Sequence, residues 1–128
     1  MDPLAAAAIE ARRHAHAPFS KFLVGAELED SDGRVWTGCN IENATYGLTL
    51  CAERVAVFKA MSEGARKFTR LPIATGTSSP TPPCGACRQI LWEFCGDIEV
   101  ILVNPRGITE TFCLKDLFPR PFDASSIR

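Results

Sequence analysis

A chain of 128 residues is long enough for one domain with one hydrophobic core, residues 1–128, and too short for two of ordinary size. Hydrophobic residues make up 46% of it, which excludes a disordered polar chain. The formal net charge is −1 with the basic residues scattered, so no basic stripe is present to bind a polyanion, and a small-molecule substrate is expected rather than a nucleic acid.

Asp2-Pro3 is a helix start, with Asp2 as cap and Pro3 in the first turn. Leu4, Ala8, Ala11 and Ala15 recur at helical spacing, which predicts a helix to about residue 14 that Pro18 ends. Its apolar stretch, residues 4–11, is too short to span a bilayer and follows no basic segment, so a cytoplasmic protein away from membranes is expected. Six cysteines without a secretion signal point to metal binding or free thiols rather than disulfides. His14 and His16 fall near the helix end and read as surface residues.

Phe22, Val24, Ala26 and Leu28 alternate with Leu23, Gly25 and Glu27, as in a strand. Ser31-Asp32-Gly33 is a turn, and Val35, Thr37 and Cys39 alternate again, completing a hairpin. An irregular segment, residues 40–50, leads to a helix over residues 51–62 closed by Gly64 and apolar nearly all round, which suits burial inside the domain or in a subunit contact. Glu53 and Arg54 in its first turn are therefore unusual. Residues 71–74 predict a short strand, residues 75–83 a loop and residues 84–94 a helix in which Cys87, Leu91 and Phe94 share a face. Residues 98–103 read as a strand buried on both faces. A turn at Asn104-Pro105-Arg106-Gly107, a last strand with Ile108, Glu110 and Phe112, a short amphipathic piece with Leu114, Leu117 and Phe118, and a polar tail follow. This order predicts an α/β fold, a mixed sheet with helices on both faces.

Two stretches carry the chemistry, Cys51-Ala52-Glu53 and Pro83-Cys84-Gly85-Ala86-Cys87. Both lie where a loop turns into a helix, and in an open α/β sheet ligands bind at such strand ends. Cys84 and Cys87 are three apart, so in a helical first turn one ion can bridge them. The helix N-termini favour the thiolates that bind metal. Three thiolates leave one position open, the arrangement of a catalytic zinc; a fourth ligand, Cys39 or Cys95, would instead close the site and leave Glu53 idle. Zinc with three thiolates carries a net charge of about −1, so a cation is expected nearby, and Arg54 and Arg88 are placed to donate to sulfur. A lone pair of cysteines three apart is a weak signal. Its combination with Cys-Ala-Glu matches the three-cysteine version of a known zinc-deaminase signature.

With these residues in place, the sequence closely resembles the small homotetrameric zinc-dependent cytidine deaminases over residues 19–122. The strongest parts are residues 22–26, residues 38–44 (Gly-Cys-Asn-Ile-Glu-Asn-Ala), Cys51-Ala52-Glu53-Arg54 and residues 83–89. The resemblance implies a three-layer α/β/α fold with a five-stranded mixed sheet. It implies one zinc ion per subunit on Cys51, Cys84 and Cys87, attack of zinc-bound hydroxide on C4 of the pyrimidine, and Glu53 as the proton shuttle. Asn40 and Glu42 would hold the ribose 3′-hydroxyl, and the backbone N–H of Ala52 the pyrimidine carbonyl. Phe22 would pack against the base, although a plain core phenylalanine fits that strand equally well. Tyr46 and Phe122 would reach sites at the interfaces of a homotetramer, and Arg54 would offset the thiolate charge. The remaining cysteines, Cys39, Cys95 and Cys113, read as buried small hydrophobes.

The activity expected is hydrolysis of cytidine and 2′-deoxycytidine to the uridine forms, for pyrimidine salvage. A deaminase of another aminopyrimidine nucleoside, such as blasticidin S, and a zinc-stabilised binding module without catalysis are the alternatives. Phe19, Leu23, Glu27 and Trp92 depart from the common pattern of the family and bear on substrate range and assembly.

Overall fold

The structure is a computed structural model, and residues 1–127 are described here. Helix α1 spans Pro3–Ala11 and passes into a short 3-10 turn, Arg12–His14. Strands β1 (Val24–Asp30) and β2 (Val35–Cys39) form the hairpin. Helix α2 (Ala52–Ser62), strand β3 (Phe68–Thr75) and helix α3 (Gly85–Cys95) follow, then β4 (Glu99–Val103), β5 (Thr109–Cys113) and the single-turn α4 (Leu114–Leu117).

The sheet order is β2-β1-β3-β4-β5, with β3 and β4 parallel and the other neighbours antiparallel. This is the expected five-stranded mixed sheet in an α/β fold. Alternation along the strands sends side chains to two faces. On one face a Cβ at Gly25 would lie 2.0 Å from the Ala8 carbonyl oxygen, so α1 rests directly on β1. On the other a Cβ at Gly38, paired with Ala26, would lie 2.2 Å from the Ala52 carbonyl oxygen, so α2 begins on β2. The main core fills that second side: Leu28, Leu71, Ile73 and Val100 of the sheet meet Val57 of α2, Leu91 of α3 and Leu114 of α4. Under α1 the core is thin, with Ala5 and Ala8 against Ala74 and Val103.

Several boundaries differ from the sequence expectation. The first helix ends at His14 as expected, although its last turn, from Arg12, is 3-10; His16 beyond it is tied by its backbone to Asn40 and Glu42. His14 and His16 are both exposed. Strand β1 starts at Val24, leaving Phe22 outside it and 40% exposed, so Phe22 is not a core residue. Strand β3 begins at Phe68, earlier than its apolar run, with Phe68 paired to Asp30 and Arg70 to Glu29 and Glu99, and the Arg70 side chain pairs with Glu29 and Asp2. On α3, Cys87 and Leu91 are buried but Phe94 stands partly exposed and packs edge-on against Phe58 of α2, centroids 6.2 Å apart. Among the cysteines outside the motif, Cys39 and Cys95 are half-buried and Cys113 is exposed on edge strand β5, which corrects its reading as a core residue. No helix among the described residues is long and apolar enough to cross a membrane.

Candidate active site

Cys51 caps the N-terminus of α2 and Cys84 that of α3, while Cys87 lies in the first turn of α3. The two helices pack against each other at these ends, bringing residues 33 apart in sequence together. The three sulfurs lie within 4.8 Å of one another. They form the one group of three or more such donors found among the described residues. Four-coordinate zinc with Zn–S bonds of about 2.3 Å holds its sulfurs roughly 3.8 Å apart, a spacing compatible with this cluster. Cys95, whose thiol burial pushes up to about 12, lies outside the cluster, and so does Cys39. The donor set is therefore three sulfurs with room for a fourth, non-protein ligand.

The charges around the cluster agree with this. Cys51 and Cys87 share a proton through a hydrogen bond, which brings the Cys51 thiol down to about 6 and drives Cys87 up. The backbone N–H of Cys87 donates to the Cys84 sulfur at 3.5 Å. Arg54 reaches the same sulfurs from α2. Burial lowers its pKa, but the hydrogen bond to Cys87 and the charges of Cys87, Cys51 and Cys84 outweigh that and hold it above its ordinary value. Its Nε is buried with no acceptor. A buried guanidinium N–H without a partner is costly, and ionised sulfurs around a cation are the acceptors this position lacks. The residues present therefore fit a zinc ion.

Glu53 points into the same place from the first turn of α2 and is 4% exposed. Burial raises its carboxyl to about 7, and the Cys51 charge adds to the rise. It lines a cavity of about 230 Å³ with Phe22, Asn40, Cys51, Ala52 and Cys84. A carboxyl poised near neutrality in a mostly apolar cavity can both take and give a proton.

The other expected residues divide. Phe22, Asn40 and Ala52 line the cavity. Asn40 is buried, its Oδ1 accepting from Val24 N at 2.9 Å and its Nδ2 donating to Phe22 O at 2.7 Å. Glu42 lines an adjoining cavity with Phe19, Ser20 and Tyr46, and Thr49 lines both, so the two cavities meet there. Ile41 between them bridges to His16 and Leu50. Tyr46 is 75% exposed and Phe122 58% exposed, and neither lines the central cavity of its own chain. Arg88 does not carry the expected donation to sulfur: its Nε donates to Pro83 O at 2.8 Å and its Nη1 to Leu117 O at 2.6 Å. Placed one turn into α3, it reaches back across the cap and ties the cysteine loop to α4.

Sequence reading missed the loop side of the cavity. Thr75, Thr81 and Pro82 line it, and a chain of hydroxyls joins Thr75 to Thr77 and Thr77 to Thr81. Fully buried Asn104 holds that loop, donating to Thr77 O at 3.1 Å and Ser78 O at 3.0 Å. The signal was a run of threonines between a strand and a metal motif.

Comparison with known proteins agrees with this site. The family model for the cytidine and deoxycytidylate deaminase zinc-binding region matches residues 2–103. A cytidine deaminase of Halalkalibacterium halodurans is 48% identical, covering 94% of this chain and 92% of the relative. One of Sporosarcina psychrophila is 44% identical, covering 99% and 94%. A crystal structure of cytidine deaminase from Burkholderia pseudomallei superposes with a TM-score of 0.90 at 45% identity, covering 93% of this chain and 96% of that one.

Proposed function

The chain belongs to the cytidine and deoxycytidylate deaminase zinc-binding family, and from that premise we propose that it hydrolyses cytidine and 2′-deoxycytidine to uridine and 2′-deoxyuridine, releasing ammonia. The observation that carries this reading is the cluster of three sulfurs beside one buried carboxyl in a nucleobase-sized cavity. Cys51, Cys84 and Cys87 would hold the zinc, which when bound would supply a Lewis acid that makes water nucleophilic at neutral pH.

Glu53 moves the protons. It takes one from the attacking water and places it on ring nitrogen N3 as oxygen adds at C4. It then carries the second to the amino nitrogen, which leaves as ammonia. The N–H of Ala52, in the first turn of α2, has no intrahelical acceptor and donates to the pyrimidine carbonyl oxygen. Phe22 packs on the base, and Asn40 and Glu42 hold the ribose 3′-hydroxyl. A site built to bond that hydroxyl rejects substrates lacking it far more strongly than an apolar pocket could. Arg54 offsets the charge of the sulfurs. Arg88 keeps the Pro83–Cys84 peptide in place through its two backbone bonds.

The chain acts as a homotetramer in which Tyr46 and Phe122 complete neighbouring sites; their exposure here supports that role.

Ammonia release from cytidine, deoxycytidine, cytosine, adenosine, guanosine and blasticidin S tests the reading. Turnover of the two cytosine nucleosides alone is expected. Glu53→Gln is expected to keep stoichiometric zinc and lose turnover by about 10²–10⁴-fold. Zinc retained with turnover unchanged in that variant would remove Glu53 from the mechanism.

A further inference from the structure

We propose that Ser20 is a positioning residue for nucleoside binding, its hydroxyl locking the Glu42 carboxylate to the backbone of Phe22 so that both reach the substrate as one unit. This rests on the reading above, in which Glu42 and Phe22 contact the nucleoside.

The loop before β1 folds around Glu42, a residue more than twenty positions later. One carboxylate oxygen accepts from the backbone N–H of Phe19 at 2.9 Å and of Ser20 at 3.1 Å. The other accepts from the Ser20 hydroxyl. That hydroxyl in turn accepts from the backbone N–H of Phe22 at 3.0 Å. Its single proton is committed to Glu42 and a lone pair to Phe22. Asn40 grips the same residue from the other side through Phe22 O. The backbone of Phe22 is therefore held at its N–H by Ser20 and at its carbonyl by Asn40.

Two observations point to function rather than stability. Ser20 is exposed, and water could satisfy the Glu42 carboxylate at little cost, so three protein donors there add little to folding. The loop also holds Lys21 at φ 61, in the left-handed region that residues with side chains rarely occupy. Strain of this kind persists where the surroundings over-determine it, and it gathers at binding sites. Here the surroundings are the Glu42 bonds on one side and the Lys21 N–H to Ala17 O bond on the other.

The lock has a second consequence. The Ser20 hydrogen bond is the main influence holding the Glu42 carboxyl below its ordinary range, with the charge of His16 a lesser one; Tyr46 is the other titratable group lining this cavity. Glu42 thus stays an acceptor for a sugar hydroxyl in mildly acidic solution.

The test is steady-state deamination of cytidine and 2′,3′-dideoxycytidine by the parent, Ser20→Ala, Ser20→Thr, Glu42→Ala and the Ser20→Ala/Glu42→Ala double variant, each checked for zinc content and thermal midpoint. Ser20→Ala is expected to raise KM for cytidine about tenfold, with kcat changed by less than about threefold. It should narrow the discrimination against the dideoxy substrate. Ser20→Thr, which keeps the hydroxyl, should restore KM and the discrimination. In the Glu42→Ala background the serine change should add little, because its effect passes through that carboxylate. Full additivity in the double variant, or an unchanged KM in Ser20→Ala while Glu42→Ala loses discrimination, would overturn the role of Ser20 and leave the reading of Glu42 intact. Unchanged discrimination in Glu42→Ala would overturn the reading of Glu42 itself.

Discussion

Glu27 is 3% exposed on β1, and its carboxylate oxygens accept from the Thr37 hydroxyl at 2.8 and 3.0 Å. Burial raises its pKa, with the Thr37 bond and the charge of Lys59 opposing the rise. A carboxyl whose folded pKa exceeds its unfolded value binds protons more tightly when folded. Stability is therefore highest below the ordinary value and falls as pH rises from there through the folded value. Glu27→Gln removes that dependence. Its thermal midpoint should equal or exceed the parent's at pH 7, and the gap should close toward pH 4. A variant less stable than the parent at pH 7 would mean that the charge of Lys59 stabilises the ionised form more than burial opposes it. The position is one where the resembling family usually has a small or apolar residue, and nothing at Glu27 touches the cavity. Its effect belongs to stability rather than to substrate range.

At the scale of elements, the site depends on where two helices start. Cys51, Ala52 and Glu53 are placed by the contact of α2 with β2 at Gly38, where a Cβ would meet Ala52 O at 2.2 Å and Ala56 N at 2.7 Å. Both are helix backbone atoms and cannot step aside alone. Gly38→Ala should lift the start of α2, costing about 1–3 kcal/mol of stability by overpacking. Activity and zinc affinity should fall further than that loss explains, because the Cys51 sulfur moves while those of Cys84 and Cys87 stay. Chemical denaturation combined with a zinc titration checks this; a destabilised variant with parental zinc affinity would show that α2 shifts without carrying Cys51.

For the whole molecule, the exposed apolar residues are too many for a small isolated chain to ignore. Phe58 packs edge-on against Phe94 between α2 and α3 with both partly exposed, and Tyr46, Leu48 and Phe122 are exposed as well. Large exposed apolar patches are normally covered by a partner. Light scattering at micromolar concentration is expected to give four times the 14.0 kDa chain mass. Stripping zinc with a chelator should lower the thermal midpoint, since an ion bound by the folded state alone stabilises it. A monomer would count against shared sites, and an unchanged midpoint against a zinc-linked fold.

The sequence by itself singled out the three cysteines that the fold brings together, the α/β class and the hairpin. Those features rest on local spacing: two cysteines three apart at a helix start, a glutamate two after a third cysteine, and strict alternation about a Ser-Asp-Gly turn. It also located α2 and α3 to within a residue or so, because caps and closing glycines are local signals. Tertiary structure alone decided what depends on neighbours distant in the chain. Strand β3 extends past its apolar run because Phe68 and Arg70 find backbone partners in Asp30, Glu29 and Glu99. Arg88 serves α4 rather than the sulfurs because Leu117 O lies within its reach. Cys113 is exposed at the end of β5, a strand on the edge of the sheet. Glu42 is held toward the loop before β1 because donors some twenty residues earlier in the chain take its carboxylate. Spacing along a chain fixes which side chains share a local face; which of them share a partner is set by packing between segments that the spacing does not encode.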